Sequence, residues 1–206
     1  MTKNPVEVVF YFDFGSPNAY LAHKVIPDIE RRTGARFRYV PALLGGIFKA
    51  TGNRSPVEAF AGVPAKLAYE GKETARFVRK HGIADYARNP HFPVNTLQIM
   101  RGAVAAQRLG VFEPYVEAVY RAMWVDGLKM DDPAVIETAL TTAGLPAAEL
   151  MALMGDSQVK AELIANTESA VAHGVFGSPS FLVAGELFFG KDRLRDVEEE
   201  IAAHAA

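Results

Sequence analysis

The chain has 206 residues, with 22 Lys+Arg against 24 Asp+Glu and no cysteine. Such a balance of charge argues against sequence-independent binding to nucleic acid, which depends on an excess of positive charge. The lack of cysteine excludes disulfide scaffolds, Cys-ligated zinc, iron–sulfur clusters and a nucleophilic thiol supplied by the protein. Any catalysis must therefore use oxygen, nitrogen or a group borrowed from a ligand.

The beginning of the chain lacks a basic stretch followed by a long apolar run, so we expect no signal peptide. We also find no apolar stretch near the ~18–20 residues that cross a bilayer. These features predict a soluble, cytoplasmic protein that does not bind membranes. The length favours one large domain or one domain with an insertion.

The first forty residues predict a strand, a helix and a second strand. Residues 6–12 are almost all β-branched or aromatic, which is typical of a strand buried on both faces. Ser16 is a good helix N-cap, and Pro17 suits the first helical position. Residues 36–40 alternate as a second strand that ends at Pro41.

The rest of the chain predicts a helical middle and a different ending. Apolar residues recur at helical spacing over residues 56–81, 94–109, 112–125, 132–143, 146–154 and 157–173. Two short strands, 181–183 and 187–189, then precede a helix from about Asp192 through Ile201. We therefore predict an α/β, thioredoxin-like fold with an all-helical insertion domain. Residues 1–44 and 174–206 form the discontinuous thioredoxin-like domain, and residues 45–173 form the insertion.

Two junctions are candidate binding sites. A helix N-terminus stabilises an anion, and the Ser16 hydroxyl can donate a hydrogen bond to it, although Ser16 can equally act only as a cap. In a thioredoxin-like topology, Ser178–Pro179 is the position of a cis proline opposite that helix N-terminus. The backbone before such a proline can pair with a peptide-like ligand in the manner of a strand.

Other polar residues have simpler interpretations or remain open. Asp192 either caps the final helix or binds an ammonium group, and Lys191 or Arg193 can bind a carboxylate. The five histidines have no metal-ligand spacing, so we predict no metal site. We expect three of them to be surface or partly packed residues: His23, His173 and His204. We interpret Trp124 as a packing residue at a helix end.

Six segments, in this order, resemble the 2-hydroxychromene-2-carboxylate isomerase family: FYFDFGSPNAYLA, GNRSP, NPHFPVNT, MWVDG, GVFGSPSF and FFGKDRL. This family is related to the kappa-class glutathione transferases and belongs to the DsbA-like thioredoxin superfamily. The resemblance covers roughly residues 6–200. It implies that glutathione binds between the two domains and that Ser16 is catalytic, binding the glutathione sulfur as thiolate. Ala19 stands at the second cysteine position of a thioredoxin, which excludes disulfide exchange.

The resemblance also assigns residues to the cofactor and the substrate. The cofactor-binding residues are Ser16, Asn53, Lys66, Ser178, Pro179, Gly190, Lys191 and Asp192. Ser178 pairs its backbone with the cysteinyl part, and the last three hold the γ-glutamyl end. The substrate-binding residues are Lys49, Asn53 and Asn95, with Lys49 on the substrate carboxylate. The sequence departs from the family at Ser178, where valine is common, and at Asn18 and Ala19, where an aromatic residue or serine is common.

The implied activity is a glutathione-dependent isomerisation in aromatic, naphthalene-type catabolism. Glutathione thiolate adds to a 2-hydroxychromene-2-carboxylate, the ring opens, rotation follows, and the thiolate leaves to give a trans-o-hydroxybenzylidenepyruvate. Two alternatives stay open, a kappa-class-like glutathione transferase and a non-catalytic, thioredoxin-like module that binds peptides. The expected partners are a small aromatic carboxylate and a second copy of the chain in a homodimer.

Overall fold

The computed structural model describes residues 5–205 of the chain, with four strands and ten helices among them. The strands are β1 (Glu7–Phe12), β2 (Arg36–Pro41), β3 (Ser180–Val183) and β4 (Glu186–Phe189). The first five helices are α1 (Pro17–Thr33), α2 (Leu44–Thr51), α3 (Pro56–Ala59), α4 (Pro64–His81) and α5 (Leu97–Leu109). The others are α6 (Phe112–Trp124), α7 (Pro133–Thr142), α8 (Ala147–Met154), α9 (Ser157–Ala172) and α10 (Leu194–Ala205).

Strand β1 lies inside a four-stranded sheet of order β2-β1-β3-β4. It is parallel to β2 and antiparallel to β3, and β3 is antiparallel to β4. Five of the six β1 residues are buried, so the prediction of a strand buried on both faces is confirmed. Because β3 lies beside β1, the segment just before β3 meets the segment just after β1.

Helices cover both faces of the sheet. Val8, Phe10 and Phe12 belong to a large core that includes α1, α10 and the helices α5 to α8. Val9 and Tyr11 point to the opposite face and pack with residues of α2 and α9. This mixed sheet with helical layers confirms the predicted thioredoxin-like α/β fold with many inserted helices.

The division into two domains stays a prediction. Residues 1–4 and 206, which the predicted thioredoxin-like segments include, lie outside the described residues. Both α2 and α9 pack on the sheet, although the prediction assigns residues 45–173 to the insertion. Within residues 5–205, no helix is both long and apolar enough to cross a membrane.

One predicted helix, residues 56–81, is wrong as a single element, because α3 ends at Ala59 and α4 begins at Pro64. Val63 has a non-helical backbone, with φ −129° and ψ 72°. A proline ring disfavours helical geometry in the residue before it and cannot donate to a preceding turn. Pro64 therefore ends one helix and starts the next.

The sequence pattern did not predict helix α2. Gly45 and Gly46 lie in its first turn, and glycine lowers helix propensity by about 1 kcal/mol each relative to alanine. The structure supplies a tertiary contact instead: the Asp13 carboxylate accepts a hydrogen bond from the backbone N–H of Leu44 at 2.7 Å. The first N–H of helix α2 is therefore satisfied by a side chain from the loop after β1.

Two polar side chains test the sequence interpretation of the core. Trp124 is the last residue of α6, is fully buried, and donates from Nε1 to the Phe14 carbonyl at 2.8 Å, as a packing residue does. The expectation that His23 is a surface or partly packed residue is wrong, because this residue is buried. Its ring nitrogens lie 2.9 Å from the Tyr39 hydroxyl and 2.9 Å from Glu117 Oε1, which satisfies both of them.

Candidate functional site

The Ser16 hydroxyl lies at the N-terminus of α1 and makes two hydrogen bonds. Its Oγ accepts from the backbone N–H of Ala19 at 3.2 Å, so its role as a helix cap is confirmed. The same Oγ donates its proton to the Ser178 carbonyl at 2.8 Å. Among residues 5–205, the backbone N–H of Asn18 in this first turn has no acceptor. The turn therefore presents a free N–H and the positive end of the helix dipole beside a hydroxyl donor.

Ser178 and Pro179 meet this helix end from the loop just before β3, the strand that pairs with β1. The peptide bond between them is cis. The Ser178 carbonyl accepts the Ser16 proton, and the Ser178 hydroxyl accepts from the backbone N–H of Asp13 at 3.2 Å. The Pro179 carbonyl accepts from the Gly190 N–H at 2.9 Å. The structure thus brings together Ser16, Ser178, Pro179 and Gly190, and their role in binding a cofactor stays a prediction.

Sequence reasoning missed the role of Asp13, which organises the loop beneath Ser16. Asp13 is fully buried; its Oδ1 accepts from the Gly15 N–H at 2.8 Å and its Oδ2 from the Leu44 N–H. Burial raises the pKa of this carboxyl, while hydrogen bonds from Leu44, Gly15 and the Thr96 side chain act to lower it. Asp13 therefore joins three segments: the β1–α1 loop, the start of α2 and the start of α5.

Asn95 lies next to this loop through its neighbour Thr96. A Cβ on Gly15 would lie 3.0 Å from Thr96 Cγ2, so the small residue allows the two loops to pack closely. Asn95 is exposed, and its Oδ1 accepts from the Leu97 N–H at 3.1 Å. The neighbour of Asn95, Thr96, is thus close to Gly15, and the role of Asn95 at the substrate side stays a prediction.

Helix α2 supplies the next wall of the site. Its first N–H binds Asp13, and beyond its C-terminus the Asn53 side chain donates from Nδ2 to the Phe176 carbonyl at 2.8 Å. Phe176 is two residues before Ser178, so Asn53 contacts the loop that contains the cis proline, and its role in binding a ligand stays a prediction. Lys49 is exposed on the last turn of α2, between these two anchor points.

Lys66 is less closely connected to the group. It is exposed near the start of α4, and its ammonium lies 4.4 Å from the Phe60 ring centroid and 3.8 Å from Glu70 Oε1. These contacts belong to the α3–α4 segment, and within the described residues Lys66 makes no hydrogen bond or ion pair with Ser16 or Ser178. Its place in a binding site therefore stays a prediction.

Lys191 and Asp192 form an ion pair at the end of β4. The Lys191 Nζ lies 2.6 Å from Asp192 Oδ1 and 4.8 Å from the Phe77 ring centroid, and its side chain is only 4% exposed. The interpretation of Asp192 as a helix cap is wrong, because residues 191–193 form a 3-10 turn without a side-chain cap. Arg193 pairs instead with Asp196, at 3.1 Å.

This ion pair lines a cavity of about 430 Å³ between α1, α4 and α10. On the α4 wall, Glu73 pairs with Arg76, whose hydrogen bond lowers the pKa of the Glu73 carboxyl. The cavity is therefore lined by two ion pairs over an apolar floor that includes Val25 and Ile29. Such an arrangement suits a zwitterionic ligand group. Within residues 5–205, no three His, Asp or Glu side chains are grouped to hold a metal ion.

The chain is similar to proteins of two named activities. It is 29% identical over 200 residues to a 2-hydroxychromene-2-carboxylate isomerase of Sphingobium xenophagum, covering 96% of this chain and 97% of that protein. It is 26% identical to glutathione S-transferase kappa 1 of Homo sapiens, covering 97% of this chain and 90% of that protein.

Solved structures show the same fold at lower sequence identity. A 2-hydroxychromene-2-carboxylate isomerase structure matches with a TM-score of 0.83 and 24% identity, covering 96% of this chain and 95% of that one. Pseudomonas aeruginosa DsbA matches with a TM-score of 0.57 and 18% identity, covering 100% of this chain and 88% of that one. The model of the DSBA-like thioredoxin domain matches residues 7–202, nearly the whole chain. The chain therefore belongs to the DsbA-like thioredoxin domain family.

Proposed function

We propose that this protein is a glutathione-dependent isomerase that converts a 2-hydroxychromene-2-carboxylate into a trans-o-hydroxybenzylidenepyruvate. The observation that carries the proposal is the Ser16 hydroxyl, held at a helix N-terminus against the Ser178 carbonyl at 2.8 Å. In a chain without cysteine, this arrangement suits a thiolate brought by a ligand. The relatives named as isomerases and as kappa-class transferases support the two halves of the proposal, the reaction and the cofactor.

The charges and the backbone of the site fit glutathione. The free Asn18 N–H and the dipole of α1 favour an anionic sulfur, and the partly exposed Ser178 offers backbone beside it. At the other end, Lys191 and Asp192 offer opposite charges to the carboxylate and ammonium groups of a γ-glutamyl end. Asn53 and Lys66 remain candidates for the rest of the cofactor.

Ser16 changes its partner in the proposed mechanism. Its hydroxyl donates to the cofactor sulfur in place of the Ser178 carbonyl. Its Oγ still accepts from the Ala19 N–H, so Ser16 continues to cap the helix. When bound, glutathione supplies the thiolate that adds to the conjugated substrate and leaves again, so it is recovered unchanged. Lys49 would hold the substrate carboxylate, and Asn95 would help to orient the substrate.

The test is an ultraviolet assay of a hydroxychromene carboxylate with glutathione in catalytic amount. We expect product to form in large excess over glutathione, with the total thiol unchanged. Ser16→Ala should reduce turnover more than glutathione affinity. The hydrogen bond that this variant loses is to a charged group, and such a bond contributes roughly 1.5–3 kcal/mol. Isomerisation without glutathione, or full activity of Ser16→Ala, would contradict the proposal.

A kappa-class-like transferase is the second candidate, favoured by the similarity to kappa 1 transferases from Homo sapiens and Rattus norvegicus. The same activated thiolate would then stay attached to an electrophile. Consumption of one glutathione per product distinguishes this activity from isomerisation. We further propose that the protein is a homodimer, which sedimentation of the purified protein would test.

A further inference from the structure

Ser178 contacts the Ser16 loop through two different atoms. Its carbonyl oxygen accepts the Ser16 proton at 2.8 Å, and its side-chain Oγ accepts from the Asp13 N–H at 3.2 Å. Asp13 begins the turn that ends at Ser16, since the Ser16 N–H donates to the Asp13 carbonyl at 3.1 Å. The Ser178 hydroxyl is therefore held by its lone pair against the same turn that carries Ser16.

The proton of this hydroxyl remains available. A serine hydroxyl has one proton to donate and two lone pairs that accept. The Asp13 N–H uses a lone pair, and within residues 5–205 no group accepts the Ser178 proton. Ser180, two residues later, differs: it is fully buried and donates to the Gly177 carbonyl at 2.9 Å. Ser178 is only partly buried, so its proton can reach a ligand.

We propose that Ser178 is a second hydroxyl donor to the glutathione sulfur, acting together with Ser16. This inference rests on the proposed function. A sulfur that replaces the Ser178 carbonyl as the partner of Ser16 lies against residue 178, whose O–H is anchored beside it. The bond from Asp13 limits rotation of the Ser178 side chain, which lowers the entropy lost on binding.

The role concerns a proton equilibrium and changes no covalent bond of the protein. The thiol proton of glutathione goes to bulk water, and both serines keep their own protons while donating to the thiolate. A second donor favours the charged form and lowers the thiol pKa further. Valine, which is common at this position in the family that the sequence resembles, has no proton to donate. This chain should therefore hold bound glutathione as thiolate at lower pH than a chain with valine would.

The experiment measures the thiol pKa of glutathione in its complex with the protein, without substrate, from the ultraviolet absorbance of the thiolate during a pH titration. We compare the wild type with Ser178→Ala, Ser16→Ala and the double variant. Calorimetry gives the glutathione affinity of each. Loss of one charge-assisted donor changes such an equilibrium by about tenfold, which corresponds to about one pKa unit. We therefore expect Ser178→Ala to raise the thiol pKa by about one unit, and the double variant to raise it above the value for Ser16→Ala.

Three controls separate this role from a structural one. Ser180→Ala removes a buried hydroxyl from the same loop and should leave the thiol pKa unchanged. Ser178→Thr keeps a hydroxyl and should restore most of the wild-type value. Ser178→Val fills the site without a donor and should behave like Ser178→Ala, which covers the case in which the alanine variant folds poorly.

A wild-type thiol pKa in both Ser178→Ala and Ser178→Val would overturn the proposal, as would a double variant equal to Ser16→Ala. These results would leave the proposed function intact if Ser16→Ala still raises the thiol pKa. Failure of the wild type to bind glutathione, or a bound thiol as weakly acidic as free glutathione, would overturn the proposed function and this inference together.

Discussion

Helices α1 and α4 have nearly the same length but very different packing. Helix α1 has 17 residues and buries eight of them between the sheet and the helical layer. Helix α4 has 18 residues and buries only Phe77. Ser16 lies at the N-terminus of the first helix, whereas the proposed cofactor ligand Lys66 lies in the first turn of the second.

The difference shows that the two sides of the proposed site are held to different degrees. Ser16 is hydrogen-bonded to the Ser178 carbonyl. It lies at the end of a loop that hydrogen bonds of the buried Asp13 connect to α2 and α5. Lys66 stands on a helix with few apolar contacts to the core, and such elements open at low free-energy cost. The α1 side of the proposed site is therefore held more firmly than the α4 side.

The largest expected effect compares two leucines, one on each helix. Leu21 in α1 is fully buried, whereas Leu67 in α4 is partly exposed. Leu21→Ala should lower the free energy of unfolding by about 2–5 kcal/mol, the range for a buried leucine that leaves a cavity. Leu67→Ala should cost about 1 kcal/mol or less, as for sites outside the core. Urea denaturation measures both, and equal losses would contradict the contrast between the helices.

The next effect concerns the Asp13 carboxylate. In Asp13→Asn, the amide cannot accept from both the Gly15 and Leu44 N–H groups, because one end of it is a donor. A buried donor left without a partner costs about 1–3 kcal/mol. Since the Ser16 turn is directly affected, kcat should fall by about tenfold or more in the isomerase assay.

Thr167→Val is the matched control for Asp13→Asn. The Thr167 hydroxyl accepts from the Leu43 N–H at 3.0 Å, one residue before the Asp13 contact, and Thr167 is also buried. This variant should lose comparable stability while keeping most of its kcat. If kcat falls equally in both, Asp13 acts only through general stability and not through the position of Ser16.

A smaller effect is expected in the pH dependence of stability. Because burial raises the pKa of Asp13 in the folded chain, the folded state holds this proton more tightly than the unfolded state. The resulting contribution to stability is full below the ordinary value of 3.8 and is lost as the pH rises. The stability of the wild type relative to Asp13→Asn should therefore decrease as the pH rises above 3.8. If the stability of the wild type relative to Asp13→Asn increased with pH, the prediction of a raised Asp13 pKa would be contradicted.

The smallest effect is expected for Lys66 on the exposed side. Because exposed ion pairs contribute about 0–1 kcal/mol, Lys66→Ala should weaken glutathione binding by about fivefold or less. The loss should shrink at high salt, which screens exposed charges. Lys72→Ala, an exposed lysine on the same helix, is the control and should change the affinity little. A loss that salt does not reduce would place Lys66 in a buried contact instead.

Residues with strong local signals could be assigned before the structure. Ser16 before Pro17 specifies a helix start by local chemistry alone, and Trp124 was correctly interpreted as a packing residue. Asp13 was missed because the Leu44 N–H that it accepts from lies 31 positions away in sequence, and no periodic pattern records such a bond. The same limit applies to Lys191, whose type predicts exposure but whose side chain is buried against Phe77.

The sequence by itself determined the order of the four strands and the helix start at Ser16, but it did not determine helix α2 or the break between α3 and α4. It also excluded a protein thiol. These depend on side-chain periodicity, on backbone preferences of proline and serine, and on composition, all of which act locally. Only the tertiary structure decided the partners of each polar group. Ser16 and Ser178 are 162 positions apart, and their bond exists because β3 pairs beside β1. A buried polar group is hydrogen-bonded to whichever group the fold places beside it, and the residues next to it in the sequence do not identify that partner.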